Sequence, residues 1–367
     1  MNNSLLGRLS IALFASALAV TPVPLRSHNR IAESSDSRDA SNRSDIGLCS
    51  FLKDNHQDGD KTFTATIGSW RLTLRNSNNF YAGNTTLLEK LKPKTPEADS
   101  KKLDAAVHTI AIDSGCPPNA NQNIHQDIKI PRKLFYLINT HAHFDHILGN
   151  SQFRDAGAEI IAHINARNEM ASLADFDSSG LPNITFNDEM NIAVDDLVIR
   201  LMHLPSGHTN GDIAIWIPKL NILFTGDTYM TEGYPLIDLR TGSIWGLINA
   251  VTSMINLTGD NTLIIPGHGN LRTKENGSID GPRRKDLIQY RDMLIAVTTE
   301  VERLKQLGLS LEDIIHIRPT QEYDGVWDNN LICPENFVSF IYNSLAGNQE
   351  KIASCSSDNR LDFATPD

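Results

Sequence analysis

The residues with the clearest chemical content lie between Asn139 and Asn150, in the stretch Asn-Thr-His-Ala-His-Phe-Asp-His-Ile-Leu-Gly-Asn. His141, His143, Asp145 and His146 follow directly on the apolar run Lys133 to Ile138, which reads as a buried strand. On extended backbone His141 and His143 project to the same side, so both imidazoles can reach one metal ion. Asp145 and His146 come after the chain turns and can face a second ion close by. Imidazole nitrogen and carboxylate oxygen without thiolate suit Zn2+, Fe or Mn2+. A lone histidine is usually a solvated or hydrogen-bonded core group; this cluster has partners of the same kind downstream. His208, Asp227 and His268 each stand after an apolar run and a tight glycine-containing turn. His141, His143 and His208 make one set of three nitrogens, Asp145, His146 and His268 make another, and Asp227 is a carboxylate able to bridge both.

Such ligands need strand ends to carry them, because loops on a rigid sheet are the usual way to hold a site. The pattern predicts a strand pair over 62–75, strands over 106–112, 133–138 and 159–162, and helices over 148–157 and 164–175. Segments 184–196 and 197–204 read as two strands leading to His208, and 212–218 and 222–225 as the strands before Asp227. A helix is expected over 243–257, with Trp245, Leu247, Ile248 and Val251 on or near one face. Another is expected over 285–307, with a stripe at Leu287, Tyr290, Leu294, Val297, Val301 and Leu304. This order suits an α+β fold of two mixed sheets packed face to face with helices outside.

His141-Ala-His143-Phe-Asp145-His146 resembles the His-x-His-x-Asp-His motif of the metallo-β-lactamase fold superfamily, and His208, Asp227 and His268 match its later ligand positions. The resemblance runs from about Thr62 to His268 and implies an αββα sandwich holding two Zn2+, with Fe or Mn as alternatives. It implies a hydrolase in which a metal-bridging hydroxide attacks the carbonyl of a small ester, lactone, thioester or amide. Asp145 would orient the hydroxide and move its proton. Asp113, in Asp113-Ser-Gly115, stands at the family's Asp-Thr-Gly position and would orient a histidine from behind. The early hairpin of the family overhangs the metals, making Trp70, Phe80 and Tyr81 candidate pocket residues. Tyr229 is a further one, two positions after Asp227, where lactonases of the family often have a Tyr at three. Other readings are a β-lactamase, although members of that class typically lack the bridging aspartate, an iron-dependent sulfur dioxygenase-like enzyme, and a non-catalytic metal-binding protein.

Arg8, the apolar run Leu9 to Val20 and Ala17-Leu-Ala19 match a secretory signal cleaved near Ala19, with an uncleaved anchor as the alternative. The expected organisation is a signal peptide over 1–20, a flexible lead over 21–48 and one domain over 49–367, with a helical extension from about 282. The mature chain is then periplasmic or secreted, with no stable membrane span. The net charge of −11 argues against nucleic acid, which calls for a basic surface, and leaves a small molecule as the substrate class. Cys49, Cys116, Cys333 and Cys355 allow one or two disulfides in an oxidising compartment, with the pairing open. Oligomeric state is not encoded in any of these patterns.

Overall fold

The computed structural model describes residues 61–76, 83–91, 108–116, 136–231, 233–269, 271–273, 279–328, 332–346 and 351–355, all within one compact unit spanning Ser41–Asp367. The signal peptide and lead expected over 1–48, and Phe80 and Tyr81, lie outside the described residues.

Strands β1 (Lys61–Ile67) and β2 (Trp70–Asn76) form a hairpin closed by Gly68 at φ +62°, a left-handed conformation that glycine adopts without steric penalty. With β3 (Thr85–Lys90), β4 (Thr109–Ile112), β5 (Tyr136–Ile138), β6 (Glu159–His163) and β7 (Ile184–Phe186) they make a seven-stranded sheet in sequential order. Pairing is antiparallel as far as β4 and parallel from β4 to β7. A five-stranded sheet has the order β12-β11-β10-β9-β8, made of β8 (Glu189–Val194), β9 (Leu197–His203), β10 (Ile213–Ile217), β11 (Ile222–Phe224) and β12 (Leu263–Ile265). The single strand expected over 184–196 is therefore two, one in each sheet. The break has a hydrogen-bonding cause. The Asn187 carbonyl accepts from His163 Nε2 at 2.7 Å and the Asp188 carbonyl from His203 N at 2.8 Å, which draws the chain across from one layer to the other.

Alternation along the strands builds the layers. Leu72, Leu74, Ile110, Ile112, Ile138 and Ile161 face Ile199, Leu201, Ile213, Ile215, Phe224 and Ile265 in the core between the sheets. Ala214, Leu223 and Ile264 point the other way, into a helical layer. That layer contains α4 (Ile244–Leu257), α5 (Arg284–Gln306), α6 (Leu311–Ile317), α7 (Asp324–Trp327) and α8 (Pro334–Ala346). The outer face of the first sheet carries Leu87, Ala111 and Leu137 against Phe153 of α2 (Asn150–Asp155), and Ala162 against Met170 of α3 (Ile164–Ser172). The chain is an αββα sandwich, and its C-terminal helices share their core with α4 instead of forming a separate body.

All six apolar positions of the expected α5 stripe are buried, each contributing about 1.5–3 kcal/mol if fully withdrawn from water. On α4, Leu247, Ile248 and Val251 are buried but Trp245 is 43% exposed; at the first turn its position falls outside the apolar stripe. Cys333 and Cys355 are joined by a disulfide that ties the tail to the start of α8, and Cys116 is also disulfide-bonded. No helix among the described residues is long and apolar enough to cross a membrane.

Candidate metal centre

The motif-bearing loops converge because the strands before them end at one edge. Strand β10 is antiparallel to both β9 and β11, and β11 is parallel to β12, so β9, β11 and β12 run in the same direction. Across the sandwich, Ile213 N donates to the Thr140 carbonyl at 3.0 Å, bringing the start of β10 against the end of β5. Strand β5 stops at Ile138, so His141 and His143 sit on loop backbone beyond it, His141 at a bend and His143 extended. Asp145 and His146 lie on the one-turn helix α1 (Phe144–Ile147). The two ends of the motif are stapled by a reciprocal amide pair. Asn150 Nδ2 donates to Asn139 Oδ1 at 2.9 Å, and Asn139 Nδ2 to Asn150 Oδ1 at 3.0 Å.

Two clusters result, and Asp227 belongs to both. In the first, His208 Nε2 lies 2.8 Å from His143 Nδ1 and 3.6 Å from Asp227 Oδ2, and His141 Nε2 lies 3.8 Å from that oxygen. In the second, His268 Nε2 is 3.0 Å from Asp145 Oδ2, 3.1 Å from Asp227 Oδ2 and 3.2 Å from His146 Nε2.

The opposite ring nitrogens are held by other groups. His208 Nδ1 donates to the Leu236 carbonyl at 2.9 Å, which places the proton there and leaves the Nε2 lone pair facing the cluster. His146 Nδ1 meets Asp113 Oδ2 at 2.9 Å, and His141 Nδ1 meets Thr140 Oγ1 at 3.0 Å. The Thr140 hydroxyl in turn donates to Asp113 Oδ2 at 2.8 Å. Asp113 thus touches one ring of the second cluster directly and one of the first through Thr140.

These residues fit two metal ions. Within each set the ligand atoms lie within 4.8 Å of one another. His141 Nε2 and Asp227 Oδ1 are buried without a hydrogen-bond partner, although His146 Nε2 stands 3.2 Å from that oxygen. Leaving such atoms unpaired costs about 1–3 kcal/mol each, and a cation between them would satisfy both.

The electrostatics divide the site. Burial, with His146 nearby, holds His141 well below the usual imidazole range. Burial and His143 bring His208 down to about 4, so these two are neutral ligands. In the second cluster burial opposes the charged forms, but the carboxylates prevail. Asp227 and Asp145 raise His146 well above its ordinary value, and the same pair pushes His268 up to about 9. Burial also opposes ionisation of Asp145 and Asp227, yet the neighbouring histidines keep both carboxyls well below their ordinary range. Without metal, protons balance the carboxylate charge. Metal uptake near pH 7.5 should therefore release about two protons, and affinity for the second ion should rise with pH toward about 9, where His268 sheds its proton. Zinc titration of weakly buffered protein with a pH indicator checks this; uptake without proton release would contradict it.

Trp70 is not part of this site. It is buried at the start of β2 and its indole N–H donates to Asp196 Oδ1 at 3.0 Å, in the turn that begins β9. His208 lies beyond the other end of that seven-residue strand, about 20 Å away at roughly 3.3 Å per residue. The Tyr229 ring is 2% exposed and packs edge-on against Tyr290 in the helical core.

The structure adds residues that motif reading did not single out. Asp238 Oδ2 lies 3.7 Å from His143 Nε2 and accepts from Arg240 Nη2 at 2.8 Å. Burial opposes it, but the nearby His143 ring and the hydrogen bonds from Arg240 keep the Asp238 carboxyl well below the usual range. Asp212 accepts from His208 N and Thr209 N, both at 2.9 Å, and shapes the turn that presents His208. Burial, against the Thr209 hydrogen bonds, lifts its carboxyl to about 7. Asp212 stands four residues after His208 in His208-Thr-Asn-Gly-Asp212, and nothing in the sequence around Asp238 marks it.

A seven-stranded and a five-stranded mixed sheet between helices, with His and Asp ligands on one edge, define a metal-site sandwich. Residues 108–268 match the model of the metallo-beta-lactamase superfamily, and the chain has the metallo-β-lactamase superfamily fold. It is 30% identical over 137 residues to a hydroxyacylglutathione hydrolase of Rhodospirillum rubrum, covering 36% of this chain and 47% of that protein. It is 29% identical over 165 residues to the hydroxyacylglutathione hydrolase GloC of Haemophilus influenzae, covering 42% and 77%. The chain thus spans about half the length of the first of these relatives. Among solved structures, a metallo-beta-lactamase from Pontibacter korlensis aligns at TM-score 0.46 and 16% identity, over 64% of this chain and 99% of that one.

Proposed function

We propose that this chain is a dinuclear metallohydrolase, with zinc as the metal, acting on the carbonyl of a small thioester, ester, lactone or amide. The observation that carries the reading is the shared carboxylate: Asp227 stands 3.6 Å from His208 in one cluster and 3.1 Å from His268 in the other. Two divalent ions, when bound, supply hydroxide from water near neutral pH and polarise a carbonyl. His141, His143 and His208 would hold one ion; Asp145, His146 and His268 the other. Asp145, in the second cluster, keeps an ionised carboxylate, able to accept a proton from the attacking water and pass it to the leaving group. The hydroxyacylglutathione hydrolases among the relatives favour acyl-thiol substrates within this class. Metal analysis combined with turnover of thioester, lactone, β-lactam and phosphodiester substrates tests the proposal. Iron with oxygen consumption, or no turnover on any of the carbonyl substrates, would overturn it.

Export is also proposed, supported by the apolar run that begins the chain and by a disulfide between Cys333 and Cys355, a bond that persists in oxidising compartments. N-terminal sequencing should find a mature chain starting just after Ala19. Retention of Met1 on a soluble chain in the cytoplasm would contradict it.

A further inference from the structure

Asn84, just before β3, spans the loop that presents His268. Its backbone N–H donates to the Gly267 carbonyl at 2.7 Å. Its side-chain Nδ2 donates to the Pro266 carbonyl at 3.0 Å and to the Gly269 carbonyl at 3.2 Å. One residue, 4% exposed, thereby holds carbonyls on both sides of a metal-ligand histidine. The loop needs such support, since glycine on either side of His268 provides no side chain to lock it and Gly269 sits at φ +106°. An isolated parallel bridge between Met230 and His268 also flanks it.

The preceding residue reaches the other two ligands of the same cluster. Gly83 N donates to the Asp145 carbonyl at 3.2 Å. The Gly83 backbone lies so close to the His146 ring that a Cβ there would come within 2.4 Å of Cε1. His146 is fully buried and tied to Asp113, so its ring has little room to yield.

We propose that the Gly83-Asn84 corner is a positioning element for the second metal cluster, with Asn84 setting His268 and so governing occupancy of that site and not of the His141, His143 and His208 site. The inference rests on the dinuclear reading. It asks of Asn84 only that it hold a ligand in place, since outer hydrogen-bond partners of metal ligands are worth about 10–100-fold in affinity.

The test is stepwise zinc titration of wild type, Asn84→Ser and Gly83→Ala, with amide hydrogen exchange on the metal-free proteins. Asn84→Ser should weaken the second zinc equivalent by about 10–100-fold and leave the first unchanged. Exchange at Gly267, His268 and Gly269 should accelerate by about 10-fold as the local opening becomes easier. Gly83→Ala, which acts through His146, should show the same selective loss and carries the test if Asn84→Ser does not fold. Equal weakening of both equivalents, or unaltered loop exchange and second-site affinity, overturns the proposal. If wild type saturates with fewer than two ions the dinuclear reading fails instead, while exchange in the metal-free protein still decides whether Asn84 clamps the loop.

Discussion

Asp227→Asn should lower kcat/KM by more than about 100-fold, beyond the roughly 10–100-fold cost of losing an outer hydrogen-bond partner, and should weaken the second zinc equivalent most. Asparagine has nearly the same shape, so the fold should persist. It lacks the negative charge, and one of its two terminal atoms is an N–H donor that cannot face a cation. In the native site both carboxylate oxygens face histidine nitrogens: Oδ1 lies 3.2 Å from His146, and Oδ2 lies 3.1 Å from His268 and 3.6 Å from His208. The first ion keeps His141, His143 and His208. Excess Zn2+ separates the two contributions: recovery of rate means lost occupancy, whereas persistent loss at full occupancy means the bridge also tunes the attacking water. A variant with native metal affinity and native rate would remove the bridging role and bring back the β-lactamase-type arrangement.

His143→Ala should also cost more than about 100-fold in activity, for a different reason. Its side chain is 20% exposed, so truncation leaves little buried surface unfilled and the variant should unfold near the native temperature. What disappears is Nδ1, 2.8 Å from His208 Nε2, and with it one of three nitrogens for the first ion. Asp238→Asn offers the comparison. It keeps the ring and removes only the charge beside His143 Nε2, so its loss should stay within the roughly 10–100-fold of an outer partner. Metal analysis and kinetics on the two variants side by side check this ordering. Native metal content and turnover in His143→Ala would show that His143 is no ligand.

The ligands themselves were legible because their chemistry is local in the chain. His141, His143, Asp145 and His146 stand within six residues, and His208, Asp227 and His268 each follow a short apolar run and a glycine. Period-two and helical patterns likewise carried the layer architecture, since burial on a sheet or helix face leaves a regular trace in residue type. The surroundings of the aromatic pocket candidates were not legible, because they are set by residues distant in sequence. Trp70 and Tyr229 are large aromatic side chains near motifs in sequence, yet burial against Asp196 and Tyr290 takes both rings into cores.

Residue type and spacing by themselves determined which groups can bind metal and which strands must carry them, and the family resemblance implied how they divide into two sets. Only the tertiary structure decided that one edge of two sheets brings these loops together, that the segment 184–196 splits between layers, and which ring nitrogen of each histidine faces its cluster. It also decided which distant groups hold the ligands: Asp113 behind His146, Asp238 beside His143 and Asn84 across the His268 loop. The reason is physical. A ligand's type is a property of its own side chain, whereas its orientation depends on hydrogen bonds to residues far away in sequence, as Asn84 and Pro266 illustrate at 182 positions apart. Such pairings leave no periodic trace in the chain and exist only once the sheets have packed.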